Sequence, residues 1–495
     1  MCKKSTRVLC CLVAGSALFL MSAADALAGG NEGTVCPTGS GPNVIVGDLT
    51  GPSNYSSVGG MDAFSIGTTS CNIGTQNLDW VSSTPDHPVI AQNIFRLKDG
   101  RFEQIGVGWL KHGFTALTQN LCGCGCNGAG GSTLGVGCSD PYTSSRNGFQ
   151  GWPSGGLGPR FQVNAHTGAF DYPYMFRGQT GNSIYKRVQV KASDMDPAMD
   201  GGGIYFAEAQ YISPDDAAAN NGNDNASYRR IPSITGSGNS WSAASFSPAF
   251  PTQRGKPAIR AWQDEDPSVF IRELQLTGEG LFLLGVKTTD LGNGFWHYEY
   301  AIQNLNSNLS ARSFRIPLPV GATIQNIGFH DVDYHSGDGF GSTAGTPVTF
   351  DGTDWAVNLE SNAITWSTDT FAQNPNANAL RWGTLYNFRF DADRVPAQVQ
   401  GLFTLQMFKP GSPAQISAQI IVPGAAAPVQ CTSGDMTDND VVDGEDIALF
   451  TSLLVNGGPT PVEVCAGDLE NTPDGSIDMD DVPNFISCVL QAGCP

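Results

Sequence analysis

The chain has 495 residues, 61 glycines, 30 prolines and a net charge of −20, yet only 15% of its residues are charged. These figures exclude a helical bundle and a charged disordered chain, and leave a turn-rich β protein of two to four ordinary domains. The acidic balance disfavours nucleic acid and anionic membrane surfaces as partners, because phosphates would be repelled.

The first 28 residues read as a secretory signal peptide: Lys3, Lys4 and Arg7, then the apolar run 8–21, then the small residues Ala26, Leu27 and Ala28 at a cleavage site. The run is shorter than the ~20 residues a membrane span needs, and no later stretch is apolar enough. The mature chain is therefore expected without a membrane span, secreted or held at the cell surface. Ten cysteines follow the signal: Cys36, Cys71, Cys122, Cys124, Cys126, Cys138, Cys431, Cys465, Cys488 and Cys494. An even count in an exported chain predicts disulfides, and the clustering suggests pairing within each of three groups.

Residues 29–235 form a Cys-containing β-rich region. NIFRLKDGRFEQIG (93–106) alternates on both sides of Asp99-Gly100, the signature of a hairpin. LCGCGCNGAGGSTLGVGC (121–138) carries four thiols, which fit two local disulfides or a soft-metal site that His112 and His166 would join. The stretches 213–228 and 233–250 read as exposed loops, and a boundary near 230–255 would separate a second, sandwich-like region, 236–422. One large β domain with a long loop is equally compatible.

In that region GFWHYEYAIQNL and SFRIPLPV are expected to be two paired strands, QISAQIIVP another strand, and DPSVFIREL either extended or a short helix. GFHDVDYHSGDGF (328–340) packs two His, three Asp and a Tyr together, as a metal or carbohydrate site would, or as a solvated turn would. Glu103, Glu208, Asp264, Glu265, Asp266 and Glu299 are available acids, but no spacing selects a hydrolytic pair. There is no nucleophile elbow, P-loop or dinucleotide fingerprint. The predicted fold is thus mainly β, a β-sandwich or barrel-like body of one or two domains, with a small α-helical calcium-loop module at the C-terminus.

A Pro/Ala/Gly linker at 423–430 leads to residues 431–495, which hold thirteen Asp or Glu and no Lys or Arg. Counting calcium-loop positions 1, 3, 5, 7, 9 and 12 from Asp435 gives Asp435, Thr437, Asn439, the Val441 carbonyl, Asp443 and Asp446, with branched Val442 at position 8 and a helix beginning at the last ligand. Position 6, where a sharp turn favours Gly, is Asp440. A second copy ends at Asp481. Counting back places Asp478 at position 9 and Asp474 at 5, and a two-residue insertion gives position 1 to Glu470 rather than Asp468.

Two loop-helix units with Asp at position 12 and no helix before the loop resemble type I dockerin modules, in the cysteine-framed form that ends FISCVLQAGCP. The resemblance covers about 65 of 495 residues. It implies a module that folds on Ca2+ and docks through its helices to a cohesin-like partner or other cell-surface protein, and it associates the chain with polysaccharide. The expected function is a secreted calcium-binding β-rich protein that is a binding or structural component of an extracellular assembly. The alternatives are a carbohydrate-active enzyme bearing the same tail and a metalloenzyme built on the Cys/His loops. No catalytic residue is assigned.

Overall fold

The structure, a computed structural model, describes residues 36, 38–200, 203–343, 345–397, 399–424, 431–470 and 475–494. The signal peptide, most of the linker (425–430) and Asp474 lie outside them. The fold is mainly β, with 37% strand and 11% helix.

The first half is one curled antiparallel sheet. Its main strands are β1 (Val44–Val58), β2 (Met61–Asn72), β3 (Val89–Lys98), β4 (Arg101–Val107), β5 (Val188–Lys191), β6 (Ile204–Ile212) and β7 (Ala226–Ile231). Their order is β1-β2-β5-β4-β3-β6-β7, with three short strands on the margins. The expected hairpin is β3–β4. Asp99 and Gly100 take φ of 49° and 78°, the double left-handed geometry that matches the twist of two antiparallel strands.

The second half is a two-sheet sandwich. One sheet runs β8-β9-β10-β15-β12, from β8 (Phe270–Gln275), β9 (Leu281–Asp290), β10 (Trp296–Asn304), β12 (Ile324–His330) and β15 (Thr384–Ala392). The other runs β13-β14-β11-β16-β17, from β11 (Ala311–Pro317), β13 (Ala356–Glu360), β14 (Ala363–Ser367), β16 (Gly401–Met407) and β17 (Gln415–Ile420). The segment at 266–274 is therefore a turn over 266–269 followed by strand from Phe270. β10 and β11, expected to pair, lie in opposite sheets: β9 and β15 occupy both edges of β10, and the turn at 305–310 carries the chain across the sandwich.

The middle sheet is buried on both faces, which is why its strands read as continuous apolar runs. Along β9, Phe282, Leu284 and Val286 enter the sandwich core. Leu281 and Leu283 turn the other way, into a second core with Phe95, Phe102 and Phe206 of the first sheet and the helix α1 (Ile259–Glu265). Trp262 of α1 lies so close to β9 that a Cβ on Gly285 would sit 3.0 Å from its ring. Glu208 of β6 accepts the Ala258 N–H at 2.6 Å, fixing the start of α1.

The disulfides are Cys36–Cys124, Cys71–Cys122, Cys126–Cys138, Cys431–Cys465 and Cys488–Cys494. Pairing within clusters therefore holds for three bonds and fails for two. The 122–124 turn folds onto the β1–β2 pair, where Cys71 and Cys122 share an apolar cluster with Ile45 and Ile73. Gly47 admits them, since a Cβ there would run into both sulfurs. With all four thiols consumed, a thiolate metal site at 122–138 is ruled out. His112 instead pairs with His87 at 3.0 Å and stacks on Tyr174.

Residues 431–494 build a small helical unit from α2 (Asp446–Asn456), α3 (Pro461–Gly467) and α4 (Val482–Leu490). Its core is Met436, Phe450, Leu453, Ala466, Ile477 and Phe485. Thr460 and Glu463 form a capping box at the start of α3.

Candidate functional sites

The two acidic loops of the C-terminal unit share one hydrogen-bond scheme. In the first, Asp435 accepts the N–H of Asn439 at 3.1 Å and of Asp440 at 2.8 Å. Asp446 accepts from the Thr437 N–H and hydroxyl, both at 2.9 Å, and from the Asp443 N–H at 2.8 Å. In the second, Asp468 accepts the Gly475 N–H at 2.7 Å. Asp481 accepts from Leu469 at 2.6 Å, Glu470 at 3.0 Å and Asp478 at 2.8 Å.

Asp435 thus corresponds to Asp468, Asp446 to Asp481, and Asp440 to Gly475. Asp440 and Gly475 both have positive φ, 65° and 87°. The equivalence extends into the core: Val442 and Ile477 are both buried, and Phe450 stacks on Phe485 with centroids 3.8 Å apart. By this scheme Asp468 takes the first position of the second loop, while Glu470 supplies a backbone donor. Fixed-length counting back from Asp481 gives that position to Glu470 instead, because two extra residues fall between the anchor aspartate and the turn.

Asp435, Asp446, Asp468 and Asp481 are all buried, in a segment with no Lys or Arg to neutralise them. Thr437, Asn439 and Val441 are exposed and Asp443 is half-buried; the Val441 N–H donates to Asn439 Oδ1 at 2.9 Å. Asp468 Oδ1 has no hydrogen-bond partner among the described residues. Each carboxylate oxygen has two acceptor sites, so the loop hydrogen bonds leave capacity for an ion, and the donor set is all oxygen, as calcium requires. Among the described residues no three His, Cys, Asp or Glu side chains stand close enough together to hold a metal by themselves.

In the body, the 328–340 segment is not a solvated turn. His335 and Asp338 are buried. His335 Nε2 lies 2.6 Å from the Val107 carbonyl, and Asp338 accepts from Trp109 Nε1 at 2.5 Å and from the His335 N–H at 2.6 Å. His330 Nε2 is 3.2 Å from the Gln104 carbonyl, and Lys191 pairs with Asp333 at 2.7 Å. Burial raises the Asp331 carboxyl to about 6. The polar groups of this segment reach Gln104 and Val107 of β4, Trp109 beyond it and Lys191 of β5, while Asp331 and Tyr334 bond to Asn378 and Tyr386, so they join the two halves of the body rather than converge on one point.

Beside the segment lies an open cleft of about 410 Å3, lined by Tyr185, Lys186, Gln189, Asp333, Tyr334 and His335. Lys186 donates to the Phe176 and Gln179 carbonyls at 2.6 and 2.9 Å, and burial lowers its ammonium to about 7. Lys111, also buried and lowered to about 7, is closed in by Phe114, Tyr142 and Trp152 and is a core residue. Neither lysine belongs to a local motif, so no spacing or pattern marks them.

Among the acids considered for hydrolysis, Glu208 anchors α1, and Glu103 and Glu299 are tied up by Arg101. Tyr228 donates to Asp264, Lys287 pairs with Asp266, and Arg230 pairs with Glu265.

Comparison with protein-family models gives no match, and neither does comparison with curated proteins. Among solved structures, one similar chain belongs to a work described as the complete structure of manganese lipoxygenase of Gaeumannomyces graminis and partial structure of zonadhesin of Komagataella pastoris. It is 9% identical, covers 77% of this chain and 94% of that one, and has a TM-score of 0.18, too low to carry an argument. No helix among the described residues is long and apolar enough to cross a membrane. The five disulfides fit an oxidising compartment.

Proposed function

We propose that this is a secreted β-rich protein, held in an extracellular or cell-surface assembly by a C-terminal dockerin-like module that folds on two calcium ions. The observation that carries the reading is the repeated hydrogen-bond scheme around four buried carboxylates in a segment without a basic residue. Burying uncompensated charge is strongly unfavourable, and a divalent cation at each loop supplies the missing compensation. Asp435, Thr437, Asn439, the Val441 carbonyl, Asp443 and Asp446 hold the first ion. Asp468, Asp478 and Asp481, with Asp474, hold the second.

The helices also present apolar side chains to solvent. Val455 and Leu490, each nine residues past its loop's last aspartate, are 77% and 81% exposed, and Ile447 and Ile486 are about half exposed. Exposed apolar positions on two helices, one of them repeated, suit docking to a cohesin-like partner, with the body free to contact polysaccharide. Calorimetric titration of the mature protein should give two calcium ions per chain, and the Asp435→Ala, Asp446→Ala double variant should retain one. Two ions bound by that variant would overturn the assignment.

A further inference from the structure

We propose that the body carries a carboxylate-binding cavity where Arg160, Arg381 and Lys409 meet, fitted to the acid group of a uronic acid sugar. The proposal stands independently of the calcium module. The cavity is narrow, about 30 Å3, and lies between the first sheet and the sandwich. Asp338 is the one carboxylate among its lining residues, and it is already engaged by Trp109 and the His335 N–H. Arg160, Arg381 and Lys409 form no ion pair among the described residues. Arg160 donates to the carbonyls of Gly108, Gly383 and Gln92 and to Asn93 Oδ1. Arg381 is 7% exposed; its Nη2 donates to the Pro375 and Ala377 carbonyls, while its Nε has no partner. Lys409 donates to Asn308 Oδ1 at 2.7 Å.

The lining sets three cations against one carboxylate; Glu208 and Glu279 act on Arg160 and Lys409 from outside it, and the balance among the lining residues stays positive in a protein whose net charge is −20. Such a buried excess is costly, and an anion relieves it. Burial with too little negative charge accordingly lowers Arg160 to about 10 and Lys409 to about 8.

Size and shape select the anion. The space admits about two water-sized groups, the two oxygens of a carboxylate, and no sugar ring. The ring would stay outside, against the half-buried Phe161 and Phe340 of the lining, whose faces suit sugar stacking. Tyr334 lines both this cavity and the open cleft of about 410 Å3, which gives a longer chain a place to continue.

The test is calorimetry on the mature protein at pH 7 with sodium glucuronate, glucose, a galacturonate trimer and inorganic phosphate. Glucuronate should bind and glucose should not. Lys409→Gln, which can keep the Asn308 contact, should weaken glucuronate at least tenfold, and Arg381→Gln should abolish binding. A trimer at least tenfold tighter than glucuronate identifies a polymer as the source of the acid; equal affinities identify the free acid. Both results support the site. Glucose binding as well as glucuronate, phosphate binding alone, or undiminished binding by folded Lys409→Gln would overturn it.

Discussion

Replacing Asp468 by Asn should cripple the second calcium loop, whereas replacing Glu470 by Gln should barely affect it. The Asp468 carboxylate is buried and accepts the Gly475 N–H at 2.7 Å, and its other oxygen has no partner among the described residues. An amide there either turns its NH2 toward the Gly475 donor or offers the ion a neutral oxygen. A hydrogen bond to a charged group contributes about 1.5–3 kcal/mol, so its loss alone weakens the ion roughly ten- to a hundredfold. Glu470 donates its main-chain N–H to Asp481 at 3.0 Å, a contact that Gln at this position keeps. Removing a partly exposed charge costs about 0.2–1 kcal/mol, less than roughly fivefold. Calorimetry of the two mature variants reads both constants, with the intact first loop as an internal reference. If Glu470→Gln loses more affinity than Asp468→Asn, the equivalence of Asp468 with Asp435 is wrong.

Asp440 sits at φ 65° and donates its N–H to Asp435. Asp440→Gly should therefore relieve about 1 kcal/mol of left-handed strain, partly offset by the flexibility of glycine, and leave calcium affinity unchanged or tighter; a fivefold loss in the titration would make Asp440 a ligand instead. Peptide mapping of unreduced mature protein should recover Cys36 with Cys124 and Cys71 with Cys122, and thiol titration of it after denaturation should find almost no free thiol. His297 donates to Asp391 at 2.6 Å and, when protonated, to Glu299 at 3.3 Å, and the Glu299 and Asp391 carboxylates raise its pKa above the ordinary value. The stabilisation from that raised value is full below the unfolded pKa of about 6.5 and fades as pH rises through the folded value. The loss of melting temperature in His297→Gln should accordingly be larger at pH 5.5 than at pH 8.5; an equal loss at both would remove the charge from the explanation.

What could be read in advance was local. The Asp99-Gly100 turn lies between two alternating runs, so four residues determine it. The predominance of strand followed from branched and aromatic runs broken by Gly and Pro. What could not be read was non-local. β10 pairs with β9 and β15, the latter about 80 residues away, and the crossing at 305–310 has no signature that distinguishes it from a hairpin. Cys36 and Cys71 reach partners 88 and 51 residues on. Arg160 lies more than 200 residues before Arg381 and Lys409, so no motif could gather them. The second acidic loop and its two-residue insertion were legible in the sequence, but the choice between Glu470 and Asp468 for its first position was not, because a spacing rule assumes a fixed length.

The account rests on the acidic C-terminal unit being organised by calcium. Limited proteolysis of the mature protein with an enzyme that cuts at acidic residues, analysed after reduction, probes that most directly. In millimolar calcium the bonds at 435–446 and 468–481 should resist cleavage, and in chelator they should be cut readily. Equal cleavage in both conditions would contradict the account.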